Sequence, residues 1–255
     1  MHAVQGPAGC VHRRLSRSHW RWIPGTAVAQ PPVPTTNDRR DSPSASGLAD
    51  PFDLAGVRLQ DIPKTRDEVL QASQVFTHGS RLLLGQEATE ARFKSEPLAN
   101  FRIIHIAAHG IASDRFPDRA ALVLGSDPKS GEDGLLQARE IRNLSLNADL
   151  VTLSACDTGA GRLQGEEGIA NLVRAFLFAG AKSVVASLWV ASDIYTPILM
   201  DHFYRHLALG EEKADALRRA KLDLLVEFGD QASPLFWAGF VMVGDGSGLA
   251  FTPRQ

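Results

Sequence analysis

Cysteine is nearly absent: Cys10 and Cys156 are the two in 255 residues. That is too few for a disulfide framework or a four-cysteine zinc site, and it makes a reducing setting, the cytoplasm, the expected location. No run approaches the ~18 consecutive apolar residues that would cross a bilayer, so no membrane partner is expected. No Cys-x-x-Cys spacing and no phosphate-cradling Gly-x-x-x-x-Gly-Lys-Ser/Thr run occurs, and neither a metal nor a cofactor is expected. Nor does either sign of charge predominate: 27 basic against 29 acidic residues give a formal net of −2. What charge there is divides unevenly. Residues 1–40 hold six arginines against one acid, Asp38, a balance of +5 that leaves −7 for the rest. An acidic body with a basic arm is not the pattern of a nucleic-acid binder, whereas it suits basic substrates.

What is present is 44% hydrophobic and 22% charged, the balance of a globular domain. Residues 1–47 read as a basic, Pro/Ser-rich, disordered tail, because sparse apolar residues cannot offset the entropy of ordering. His12-Arg13-Arg14-Leu15 followed by Ala27-Val28-Ala29-Gln30 has the outline of a twin-arginine export signal. Arg21, Pro24 and Gly25 stand where its apolar core would be, which favours the tail. Residues 48–245 form the domain, and 246–255 a C-terminal tail. Within the domain, helices are expected at Lys64–His78, Glu87–Lys94, Asp193–Leu209 and Lys213–Phe228. Strands are expected at Arg81–Leu84, Arg102–Ala107, Ala121–Leu124, Asp149–Leu153, Ser183–Leu188 and Phe240–Val243, and Gly134–Arg142 is a turn entering a short helix. The clearest helix has Ile169, Leu172, Val173, Phe176 and Leu177 on one face, Glu166 and Glu167 in its first turn and Gly180 at its close. Strands separated by helices of this length imply a single α/β domain, its mostly parallel sheet covered on both faces.

Ligand sites of such sheets lie at the carboxyl ends of strands. His109 and Cys156 each follow an apolar strand and precede a glycine-containing turn, 47 residues apart. A thiolate nucleophile with an imidazole to move protons requires that pairing, and backbone N–H groups near Gly110 and Cys156 could form an oxyanion hole. Against this, a cysteine is often a small buried hydrophobe and a histidine a structural one. His105, four residues before His109, competes as base but falls within the strand, where a core role fits better. His78 reads as a helix-terminal residue. The loop Gly159-Ala160-Gly161-Arg162-Leu163-Gln164-Gly165 lies between strand and helix like a dinucleotide fingerprint, but its third glycine is displaced by one. Nucleotide binding therefore stands as an alternative.

A wider set of residues carries a family resemblance. Ile62-Pro63-Lys64-Thr65-Arg66-Asp67-Glu68-Val69, Ile104-His105-Ile106-Ala107-Ala108-His109-Gly110 and Gly134-Leu135-Leu136-Gln137-Ala138-Arg139-Glu140-Ile141 come first. They are followed by Leu150-Val151-Thr152-Leu153-Ser154-Ala155-Cys156-Asp157-Thr158-Gly159, Gly165-Glu166-Glu167-Gly168, and Val184-Val185-Ala186-Ser187-Leu188-Trp189. In these the chain resembles the CHAT domain, a caspase-like family related to separase. The resemblance implies a caspase-like three-layer sandwich and a cysteine endopeptidase with His109 and Cys156 as dyad. Its substrate would be a protein or peptide laid along a sheet edge. Separase-like relatives carry Trp-Asp-Val-Thr-Asp where this chain has Trp189-Val190-Ala191-Ser192-Asp193. Asp193 is thereby the candidate for pairing with a basic substrate residue, and Asp157 the weaker one. Asp193 could equally cap the helix it begins.

Family domains usually start with additional strands upstream of Ala49-Asp50-Pro51 and often follow helical repeats that deliver an activating signal. The resemblance thus implies a sheet lacking upstream strands, or a chain that is a fragment, and an activating partner such as a helical-repeat protein. It leaves open a catalytically silent interaction or sensor module with the same fold.

Overall fold

The computed structural model describes residues 25–29, 59, 62–76, 79–111, 117–154, 156–157, 166–189 and 191–249, with the backbone alone at 25–29, 117, 156–157 and 166–167. In chain order the elements are β1 (Gly25–Ala29), α1 (Lys64–Val75), β2 (Arg81–Leu84), α2 (Glu90–Ser95), β3 (Ile103–Ala107), β4 (His109–Ile111), β5 (Ala121–Val123) and β6 (Leu135–Gln137). There follow α3 (Ala138–Ile141), β7 (Leu150–Leu153), β8 (Cys156–Asp157), α4 (Glu166–Phe178), β9 (Ser183–Ser187), α5 (Tyr195–Ala208), α6 (Lys213–Phe228) and β10 (Phe240–Gly244).

Six strands form the main sheet in the order β10-β9-β7-β3-β1-β2, parallel throughout except that β10 runs antiparallel to β9. Every residue of β3, β7 and β9 is buried, as a parallel sheet covered on both sides demands. Their side chains alternate between two cores. Ile104, Ile106, Val151, Leu153, Val184 and Ala186 join Phe93, Leu172 and Phe176 of α2 and α4 on one face. Ile103, Leu150 and Val185 join Ala72, Phe203, Leu217 and Leu224 of α1, α5 and α6 on the other. This period of two gives three layers.

A second, four-stranded sheet has the order β6-β5-β4-β8. Its strands are two or three residues long, too short to show periodicity; from sequence Ala121–Leu124 reads as a strand, but His109-Gly110 as a turn and Gly134–Arg142 as a turn entering a short helix. Two further differences have local causes. Thr89 accepts the Arg92 N–H, so α2 begins at Glu90 rather than Glu87. Segment Gly25–Ala29, expected within a disordered tail, instead lies inside the main sheet, pairing with β2 on one side and β3 on the other. The expectation of a tail over 1–47 is corrected there: pairing on both sides supplies the hydrogen bonds that the short Gly-Thr-Ala-Val-Ala run could not advertise alone.

Gly180 ends α4 with φ of 113°, a conformation that disfavours any side chain. A Cβ there would also collide with the Leu146 carbonyl oxygen. Gly180→Ala is expected to cost about 3 kcal/mol, lowering Tm by roughly 6–12 °C in thermal unfolding. An unchanged Tm would mean the turn relaxes freely.

Candidate active site

β3 and β7 are parallel neighbours, registered Ile103↔Leu150 through Ile106↔Leu153. Each ends and then resumes in the second sheet: β3 passes through Ala108 into β4, and β7 through Ser154 toward β8. The Ser154 N–H donates to the Ile106 carbonyl at 3.1 Å, keeping the strands together up to the break. Beyond it β4 and β8 are again parallel neighbours, registered His109↔Cys156 and Gly110↔Asp157. Backbones of His109 and Cys156 therefore lie side by side at the ~4.8 Å spacing of adjacent strands. His109 is buried and Gly110 half-buried. All four sequence candidates at the dyad thus fall at two adjacent register positions. The Gly159–Gly165 loop and His78 lie outside the described residues.

Asp193 lies past the end of β9, at the same carboxyl rim of the main sheet. It does not cap its own helix. Ser192 does that, its Oγ accepting the N–H groups of Ile194 and Tyr195 at 3.4 Å each. The Asp193 carboxylate instead accepts the backbone N–H of Lys64, at the start of α1. Burial pushes its carboxyl above the ordinary range, and the charges of Glu68 and Asp67 push the same way, while the Lys64 N–H opposes them. Nearby Trp189 donates its indole N–H to the Leu235 carbonyl at 2.8 Å, and its ring fills the space a side chain at Gly239 would need.

Sequence reasoning missed a polar cluster directly behind these strands. Glu68 of α1 places Oε1 2.9 Å from Nε2 of His105, whose Nδ1 is 2.8 Å from the Tyr204 hydroxyl of α5. The Tyr204 hydroxyl donates to Thr152 Oγ1 at 2.9 Å, and His105 Nε2 is 3.3 Å from Ser154 Oγ. All five side chains are buried. Burial first, with the Glu68 charge adding to it, pushes the Tyr204 phenol up, so it remains a hydroxyl. His105 is therefore a core histidine with partners.

Among the described residues, one group of carboxylates could hold a cation: Glu90, Glu132 and Glu140. Lys94 Nζ already lies 2.7, 2.8 and 2.9 Å from them, so its ammonium occupies the position a cation would take. The histidines one turn apart on α5, His202 and His206, face Glu227 and Asp223 of α6. No helix among the described residues is long and apolar enough to cross a membrane.

Several known proteins share this fold. The Arg-specific cysteine proteinase gingipain R superposes with a TM-score of 0.55 at 10% identity, over 89% of this chain and 47% of its own. Separase, in the Saccharomyces cerevisiae separase–securin complex, gives 0.50 at 12% identity, over 87% and 12%. Likeness at this identity shows the fold: a caspase-like sandwich. By sequence, human tetratricopeptide repeat protein 28 is 25% identical over 214 residues, 72% of this chain and 8% of that protein. The mouse protein of the same name is 32% identical over 110 residues, 43% of this chain and 4% of that one. The chain thus spans less than a tenth of the length of these relatives. The family described as CHAT domain matches residues 13–245, a span that includes β1, and the chain belongs to that family.

Proposed function

We propose that this domain is a cysteine endopeptidase in which Cys156 is the nucleophile and His109 the general acid and base. The observation that carries this reading is the register His109↔Cys156 on adjacent parallel strands. Attack by the Cys156 thiolate on a peptide carbonyl forms a tetrahedral intermediate, with the N–H groups of Gly110 and Cys156 as oxyanion donors. His109 then delivers a proton to the departing amine as the C–N bond breaks, and water activated by His109 hydrolyses the resulting thioester to free Cys156. Asp193 reads a basic residue before the cut by carboxylate–cation pairing, and Asp157, next to Cys156 on β8, is the weaker candidate for that role. The substrate is a protein or peptide, and the setting is the cytoplasm, where a thiolate stays unpaired.

Control by a protein partner fits two observations. His109 is 2% exposed and must be uncovered for a substrate, and the half-buried Asp193 carboxylate must give up the Lys64 N–H to pair with a substrate cation. The curated relatives are named for tetratricopeptide repeats, which makes a helical-repeat protein the proposed partner. The same burial favours, as second reading, a silent interaction module that keeps the fold and binds through a sheet edge.

The test is labelling of the purified protein by arginyl and aspartyl acyloxymethyl ketones, with Cys156→Ala as control. Arginyl labelling that disappears in Cys156→Ala, and that loses its preference over the aspartyl probe in Asp193→Asn, is the expected result. Aspartyl-selective labelling would keep the peptidase and sink the acidic pocket. A folded sample that takes neither probe, alone or with a helical-repeat partner, would leave the interaction module.

A further inference from the structure

The face of the sheet toward α1 and α5 packs Ile103, Leu150, Val185, Leu199, Met200 and Phe203 together, yet a carboxylate and an imidazole in contact lie within it. Glu68 and His105 are each 2% exposed. Burying a carboxylate beside an imidazole carries a desolvation penalty, and apolar side chains of similar volume would often give a more stable protein. Stability is thus a weak account of this pair. Its place in the fold supplies a better one.

His105 stands opposite Thr152 in the β3–β7 register, and the Tyr204 hydroxyl bridges the two. Ser154, beside Nε2 of the same imidazole, directly follows β7 and is the last described residue before β8. The cluster therefore grips β3 four residues before His109 and β7 two to four residues before Cys156. Beyond this grip both chains leave the main sheet and must meet again in register. Apolar contacts are non-directional, whereas the hydrogen bonds of His105 and Tyr204 fix distance and angle together, and Glu68 Oε1, 2.9 Å from Nε2 without hydrogen-bond geometry, closes the remaining side of the imidazole. Nor is the clamp isolated from the substrate rim: α1 supplies Glu68 to His105 and, one turn earlier, the Lys64 N–H to Asp193.

We propose that Glu68 and His105 are positioning residues: through Tyr204, Thr152 and Ser154 they set the ends of β3 and β7 from which His109 and Cys156 emerge. The proposal rests on the peptidase reading, since it concerns the placement of that dyad.

Its test uses the full chain carrying Cys10→Ser, so that Cys156 is the sole thiol, and compares Glu68→Gln and Tyr204→Phe with His109→Ala. Two rates are followed at pH 7: alkylation of Cys156 by iodoacetamide, and inactivation by the arginyl ketone, resolved into a maximal rate and a half-saturating concentration. A misplacement approaching 1 Å costs up to about 10²-fold in rate, so a roughly tenfold fall is expected in both assays for Glu68→Gln. Half-saturation is expected to stay within about twofold, because the substrate contacts are untouched, and Tm within a few degrees. Tyr204→Phe, which keeps the ring and loses one hydroxyl, is expected to show a smaller fall of the same kind, and serves if Glu68→Gln does not fold. Unchanged rates in a folded Glu68→Gln, alongside slow alkylation in His109→Ala, would overturn the positioning role and leave the peptidase reading standing. Alkylation equally fast in the parent and His109→Ala would overturn both, since no dyad would exist to be positioned.

Discussion

Replacing His109 by alanine is expected to slow reaction of Cys156 with an arginyl acyloxymethyl ketone by about 10²–10⁴-fold at neutral pH, the range for loss of a positioned general acid–base group. Strand β4 should survive the change. His109 pairs through its backbone with Cys156 on one side and Val123 on the other, and those hydrogen bonds do not need the imidazole. The loss therefore reports proton handling. It should also shrink with rising pH, because an unassisted thiol ionises near its ordinary pKa of about 8.5 and then needs no base. Measuring the inactivation rate of both proteins from pH 6 to 9.5 gives the test. A deficit that stays constant across that range would point to a displaced strand, and no deficit would remove His109 from the mechanism.

The parts of this fold that could be read from sequence are those whose local pattern repeats. Helices α4 and α6 show apolar residues at helical spacing, and β3, β7 and β9 are continuous buried runs, so each was expected at nearly its observed position. Parallel strands also placed His109 and Cys156 just beyond two strand ends. Their register was not legible, since β4 and β8 hold three and two residues and owe their pairing to the strands that precede them. β1 was hidden for the same reason: five small residues among prolines and arginines carry no signal of the two partners they pair with.

Polar burial was still harder to see. Glu68 sits beside Val69 at the edge of the apolar stripe Val69, Ala72, Phe76, where a carboxylate ordinarily faces water. Its partner His105 is 37 residues on, and Tyr204 a further 99. For Asp193 the local spacing suggests a cap on α5, the helix it precedes, whereas its carboxylate engages the Lys64 N–H at the start of α1, far away in sequence. Pairings between distant elements have no local pattern, which is why functional polar groups lag behind apolar cores in such a reading.

The Glu90–Lys94 spacing likewise resembles a surface pair four residues apart on a helix, worth a few tenths of a kcal/mol. The structure makes it something else. Glu90 is fully buried, its second oxygen accepts the Gly134 N–H at 2.9 Å, and Lys94 also reaches Glu132 and Glu140. Burial alone would lower the Lys94 ammonium, but its hydrogen bonds to Glu132, Glu90 and Glu140 outweigh that and hold it above its usual range. Lys94→Met keeps the aliphatic stem and removes the charge, leaving three carboxylates crowded around an apolar tip. The expected cost is about 3 kcal/mol at pH 7.5, with Tm lower by roughly 6–12 °C. Its pH dependence follows from Glu90, whose carboxyl is already pushed up, by burial first and by the Glu140 charge, with Lys94 opposing. A carboxyl held higher in the folded chain than in the unfolded one costs stability as pH rises from about 4.3 through its folded value. Removing Lys94 raises it further, so the deficit should be largest at neutral pH and shrink toward pH 4.5, while the parent's Lys94 stays charged throughout. Thermal melts of both proteins at pH 4.5 and 7.5 decide the matter. A deficit equal at both values would mean lost packing, and none at either would mean that water reaches the three carboxylates and Lys94 is dispensable.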